Sequence, residues 1–121
     1  MIVAYWIVAG LLAAAMLMAG AMKTLRHKDQ LRESGMEWTD GFSAVTVRLI
    51  GIAEVLGAVG LILPPLTGIA PVLAPIAAIA LAVLMVGATV VHIRRKEKAT
   101  TSLVLMVLSI AAAVLGFLAV V

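Results

Sequence analysis

Ala44-Val45-Thr46-Val47-Arg48-Leu49-Ile50-Gly51-Ile52-Ala53-Glu54-Val55-Leu56-Gly57-Ala58-Val59-Gly60-Leu61-Ile62-Leu63, closed by Pro64-Pro65, is the stretch on which the fold turns. Its twenty residues before the prolines include only two that ionise, Arg48 and Glu54. At 1.5 Å per helical residue, about twenty residues cross a hydrocarbon core of roughly 30 Å. The run lacks the alternation of a half-buried strand and the polar face of a surface helix, so it predicts a helix surrounded by apolar material. The proline pair predicts its end, because a residue without an amide hydrogen interrupts the hydrogen-bond ladder.

Three further blocks have the same character: Ile2 to Met22, Ile69 to Val91 and Leu103 to Val121. The fold class is therefore all-α, a membrane-embedded bundle of four transmembrane helices forming one domain over residues 1–121. The composition agrees, with 64% hydrophobic and 12% charged residues, against roughly 45–50% and about 25% in soluble domains. Two short polar loops and the uncharged turn Leu66 to Gly68 leave no room for an ATP-binding fold or a nucleic-acid module. The net charge of +3 reflects Lys and Arg beside the spans, where such residues orient helices and meet anionic lipid headgroups. No nucleic-acid partner is expected.

The chain contains no cysteine and two histidines, His27 and His92. It has no ExxH pair, no CxxC and no histidine pair within a span, so no metal or haem set is expected. Ala19-Gly20-Ala21 resembles a leader cleavage site. However, no basic residue precedes the first block, and Lys23, Arg26 and Lys28 follow it, an order that suits a retained helix.

Four Lys and Arg fall in Lys23 to Gly41 and four more in His92 to Ser102. With four spans these loops share one side, and the positive-inside rule makes that side the cytoplasm. Both termini and the Pro64 to Gly68 turn then face outward, and none of them carries a Lys, Arg, Asp or Glu. A short interfacial helix is expected in the first loop, ending near Ser34-Gly35, with Trp38 as a boundary anchor. Pro71 and Pro75 sit near the start of the third block, where a missing amide hydrogen matters least, and Thr100, Thr101 and Ser102 offer an N-cap for the fourth. Helix contacts should run through small residues, with Ala70, Ala74, Ala78 and Ala82 on the third block and Ala53 and Gly57 on the second.

Arg48 and Glu54 are the two ionisable residues inside an apolar block, where such groups are functional candidates. Arg48 is about 6 Å from the cytoplasmic end and can snorkel to lipid phosphate. Glu54 is about 15 Å deep, near the midplane, so it should be protonated, paired or facing a wet cavity. About 120° and about 9 Å separate the two along one straight helix, which disfavours a bridge between them. Partners for Glu54 must then come from other helices. Lys23 closes the first block and His92 the third, and with Arg48 they would form a polar layer on the cytoplasmic side of Glu54. Thr89 and Ser109 could add hydrogen bonds. A functional pocket and a structural acid satisfied inside the bundle both remain open.

Several segments together resemble the DoxX-like family of small four-helix bacterial membrane proteins. They are Ala19-Gly20-Ala21-Met22-Lys23; Arg48 to Gly57 followed by Gly60-Leu61-Ile62-Leu63-Pro64; Leu73-Ala74-Pro75-Ile76-Ala77-Ala78; and Val90-Val91-His92-Ile93-Arg94-Arg95. The resemblance implies a bacterial cytoplasmic membrane protein and adds weight to Lys23, Arg48, Glu54 and His92. It also implies an association with thiosulfate:quinone oxidoreductase and with thiol and oxidative-stress systems, without supplying a reaction. The leading expectation is an accessory subunit, or a protein binding a quinone or lipid, without catalytic activity of its own. The alternative is a proton-coupled small-molecule transporter using Glu54, and an enzyme with Glu54 as acid or base and His92 as relay ranks below both. Membrane lipids are the expected surroundings. Oxidoreductase subunits and further copies of the chain are the protein partners left open.

Overall fold

The computed structural model describes residues 1–33 and 35–121, except for the side chains of residues 28, 37 and 40. Four long helices form the bundle: α1 (Ile2–Leu25), α3 (Ala44–Thr67), α4 (Leu73–Arg94) and α5 (Thr100–Leu115). A short helix α2 (Lys28–Glu33) and a 3-10 turn (Glu37–Gly41) join α1 to α3, and a π turn (Gly116–Val120) extends α5. All four long segments are long and apolar enough to cross a membrane. Only 22–28% of each apolar window is buried against its neighbours. The rest, including Leu11, Leu56, Val83 and Val107, faces outward as it would toward lipid tails. The fold is an all-α bundle of four such helices.

Each helix turns one narrow stripe inward. On α1 it is Tyr5, Ala9, Leu12, Met16, Gly20 and Lys23. On α3 it runs through Val47, Gly51, Glu54, Gly57 and Leu61. Steps of three and four residues keep a stripe on one side of a 3.6-residue helix. On α4 the buried stripe is Ala74, Ala78, Leu81, Met85 and Thr89. The expected alanine ladder coincides with it at Ala74 and Ala78, whereas Ala70 is exposed and Ala82 half-buried. Strict four-residue steps precess by about 40° each, so the inward line passes from Ala78 to Leu81. Gly57 lies at a helix contact as expected, with Leu81 as its neighbour, but Ala53 is exposed.

A close backbone-to-backbone crossing joins Gly20 of α1 to Gly51 of α3. A Cβ on Gly20 would stand 2.6 Å from the Gly51 carbonyl oxygen, and one on Gly51 would stand 2.7 Å from the Gly20 carbonyl oxygen. Only hydrogen fits at either position, and lipid-embedded helices pack through such close approaches.

Several helix ends differ from the sequence expectation. α1 continues past Met22 to Leu25, bringing Lys23 into its last turn. α2 ends at Glu33, Ser34 lies outside the described residues, and Gly35 follows with φ +94°. Ser43 caps α3, its side-chain oxygen accepting the Thr46 amide at 3.1 Å. α3 does not stop at Pro64-Pro65 but continues to Thr67, where Gly68 closes it in the left-handed region at φ 75°. The prolines are tolerated because their missing amides strip bonds only from carbonyls one turn back, at Gly60 and Leu61. The Tyr5 hydroxyl donates to the Leu61 carbonyl at 2.7 Å and replaces the amide that Pro65 lacks.

Tyr5→Phe should therefore lower stability by about 1–2 kcal/mol, the cost of stranding a buried acceptor. Pro65→Ala should recover much of it by supplying an amide hydrogen. Unfolding of both variants in mild detergent checks this, and parental stability for Tyr5→Phe would count against it.

α4 begins at Leu73, four residues later than expected, because Ile69 to Val72 form turns that place Ala70 at φ 47°. Pro75 remains in the first helical turn, where no intrahelical amide bond is required. α5 begins at Thr100, before the expected Leu103, and its N-cap is Ala99 without a side-chain cap. Ser102 is thereby freed from capping and buried.

Candidate functional site

The Gly20–Gly51 contact sets the geometry beside it. Lys23 lies one turn beyond Gly20 and Glu54 one turn beyond Gly51, on antiparallel helices that diverge in sequence from the same crossing. Side chains lean toward the N-terminus of their own helix. On antiparallel helices this tilts Lys23 and Glu54 toward one another. Lys23 Nζ donates to Glu54 Oε1 in an ion pair, with both side chains buried. Of the three states foreseen for Glu54, the carboxylate is paired, and it also lines a cavity.

The Trp38 ring, carried by the 3-10 turn, also lies against the ammonium, with Lys23 Nζ 5.2 Å from the ring centroid. A cation over an indole face is stabilised by about 0.5–2 kcal/mol, depending on desolvation. Trp38 also meets Phe42 and His92 edge-on, at centroid separations of 5.8 and 6.4 Å. The indole read as a boundary anchor is thus the hub between α1, the first loop and α4.

A cavity of about 850 Å³ opens between these groups. Its polar end is formed by Lys23, Glu54, Trp38, His92 and Ser102, and its walls by apolar residues such as Ile50, Leu84, Ala88 and Leu105. Thr89 Oγ1 lies 2.8 Å from the Met85 carbonyl oxygen and 3.1 Å from Ser102 Oγ, tying α4 to α5 at the cavity edge. Ser109, on the inner face of α5, donates within its own helix to the Leu105 carbonyl.

His92 stands at the mouth with Nδ1 3.2 Å from Glu97 Oε2, and Arg95 Nε donates to the other carboxylate oxygen. The bond from Arg95, and secondarily that from His92, hold the Glu97 carboxyl below the usual glutamate range. A depressed carboxyl favours the paired form above its ordinary range and loses that preference as pH falls through the lowered value. Glu97 is therefore ionised, and accepts from Arg95, at neutral pH.

The structure brings Lys23 and Glu54 into direct contact and places His92 on the same cavity, linked to them through Trp38. Arg48 lies elsewhere. It is exposed and does not line this cavity, bordering instead a second groove of about 40 Å³ with Arg26, His27 and Leu31 that meets the site only at Lys23. Trp38, Ser102 and Glu97 are site residues that the sequence reading did not assign there. The inward stripe would have found Ser102, seven residues before the buried Ser109. No local pattern marks Trp38, which arrives through the loop. Among the described residues no group of three or more His, Asp or Glu is arranged to hold a metal.

Fold and site define a multi-pass membrane protein whose four-helix bundle encloses a cavity with a charged, aromatic-covered end. The chain belongs to the DoxX-like family, whose model matches residues 7–114 and so spans every site residue named above. No curated protein and no solved structure matches the chain.

Proposed function

We propose that this protein binds a small membrane-soluble amphiphile, of the quinone or lipid class, as an accessory component of a membrane oxidoreductase or oxidative-stress system. The observation that carries the reading is the cavity of about 850 Å³ with apolar walls and one polar end. Its size is within the roughly 300–1,000 Å³ of small-molecule sites, which are mostly apolar with a few convergent polar groups. The described residues supply no nucleophile–base pair and no second intramembrane acid beside Glu54, which favours binding over chemistry. A proton-coupled exporter would need Glu54 to exchange protons, whereas its carboxylate is held by Lys23. Membership of the DoxX-like family supports the link to oxidoreductase systems.

The test is gentle solubilisation followed by mass spectrometry of the organic extract. The expected result is a near-stoichiometric amphiphile with the parent protein and its loss from Ala88→Trp, which fills the cavity wall. A parent protein free of any such molecule would overturn the proposal. The accessory role predicts that partner subunits accompany the protein in the same preparation.

The basic loops are assigned to the cytoplasm of a bacterial cell, on the strength of the positive-inside rule. The chain has no cysteine, so a single cysteine replacing Lys96 reports the side directly. It should react with an impermeant thiol reagent only after lysis, and labelling of intact cells would reverse the orientation.

A further inference from the structure

The cavity does not stop at the inner faces of the helices. Val83 and Gly87 line it although both are exposed, Val83 at 67%. Taking 100° per residue, they lie on the face of α4 opposite the buried stripe of Leu81, Met85 and Thr89, and roughly 90° around from Leu84, Ala88 and Val91, which line the cavity on the half-buried flank between. The lining therefore passes from the bundle interior onto the outer surface of α4. Gly87 is also about 7.5 Å inside His92 along the helix, within the apolar span. An opening at that level faces hydrocarbon.

The packing of α3 against α4 accounts for it. In the uncharged half the two helices are in close contact. A Cβ on Gly57 would meet Leu81 at 2.6 Å, and one on Gly60 would meet Ala77 at 2.9 Å. Toward the basic end Ile50 and Glu54 on α3 and Leu84 and Ala88 on α4 instead line the cavity from either side. At the aqueous end Met36, Trp38 and Phe42 lie across it.

Within the span, charge at the polar end is internally matched, whereas Lys98, which also lines the cavity, belongs to the loop after α4 at its aqueous mouth. Lys23 is paired with Glu54, and Glu97 accepts from Arg95 beside His92. A charged headgroup seated there would lack a free counter-ion within the membrane, where an unpaired charge is strongly disfavoured.

Resting on the binding role proposed above, we infer that the α3–α4 gap at Gly87 and Val83 is a lateral portal through which an uncharged amphiphile passes from the bilayer into the cavity. Its head reaches the Lys23–Glu54 pair by hydrogen bonding, and its tail lies along the portal. Gly87 is the natural sill, since a side chain there projects into open space, with nothing within 4 Å of an added Cβ.

The same openness makes the portal testable without disturbing the fold. In a Trp6→Phe background, Trp38 is the remaining tryptophan of the two in the chain and reports from inside the cavity. The protein is placed in phosphatidylcholine nanodiscs and titrated with 9,10-dibromostearyl alcohol, whose bromines quench indole fluorescence. Saturable quenching is expected. Gly87→Phe should weaken it at least about tenfold, and Val83→Trp, read by retention of the same alcohol after gel filtration, repeats the block one turn away. Gly10→Phe, at another exposed glycine with nothing within 4 Å of its added Cβ, should leave it unchanged. The anionic 9,10-dibromostearate should bind more weakly than the alcohol by about seventyfold or more, the factor set by the lower end of the cost of an unpaired intramembrane charge.

Undiminished binding in both portal variants would overturn the lateral route and leave the binding role standing. Equal binding of the alcohol and the carboxylate would overturn the uncharged ligand class. An absence of saturable quenching in the parent would overturn the route and the binding role together.

Discussion

Lys23→Met should destabilise the bundle by about 3–5 kcal/mol, because it leaves the Glu54 carboxylate buried without its counter-charge. Glu54→Gln should cost less, since Lys23 keeps the Trp38 face and its long stem can shift toward the basic end. The double variant Lys23→Met/Glu54→Gln is the informative one. Removing both charges removes the desolvation cost together with the attraction, so it should be more stable than Lys23→Met alone. Unfolding in nanodiscs or mild detergent gives the four corners of the cycle. Additivity within about 0.5 kcal/mol would mean that the two residues do not interact.

The second large effect is expected at the crossing that brings the pair together. Gly51→Leu places a Cβ 2.7 Å from both the Gly20 carbonyl oxygen and Thr24 Oγ1, and 2.8 Å from Lys23 Cβ. Two of these neighbours belong to the backbone or to the stiff base of a side chain and cannot swing aside, so α1 and α3 must separate. The cost should reach or exceed the roughly 1–3 kcal/mol of ordinary overpacking. Separation also lengthens the Lys23–Glu54 contact, so combining Gly51→Leu with Lys23→Met should cost less than the sum of the two. Gly10→Leu serves as the comparison, as its added Cβ meets nothing within 4 Å. A Gly51→Leu protein as stable as Gly10→Leu would show that the crossing does not need glycine.

The two expectations share a cause. Gly20 and Gly51 bring two backbones close enough for a lysine from one helix to satisfy an acid near the middle of the other. Trp38 then covers the ammonium, and the cavity opens beside the pair. The proposed ligand binding depends on a cluster whose members are held by helix packing and not by any local motif.

Four spans, a common side for the two basic loops, the depth of Glu54 and its need for a partner on another helix were all legible along the chain. Each depends on composition or on distance along a helix axis, and 1.5 Å per residue converts position directly into depth. The helix ends near the prolines were not legible. Propensity forbids Pro64 and Pro65 in a continuing helix, but Tyr5, far away in sequence, supplies a hydrogen bond that the Leu61 carbonyl would otherwise lack.

The choice among the cations around Glu54 was also beyond the sequence. Lys23, Arg48 and His92 all lie toward the basic end, and depth alone does not rank them. Rotation of each helix about its axis does, and that rotation is set by the one face of each helix that permits close approach. Packing through Gly20 and Gly51 turns Lys23 inward to the acid and leaves Arg48 exposed on the outer surface. Periodicity specifies the angle between residues on one helix, whereas the angle between residues on different helices exists only once the helices have packed.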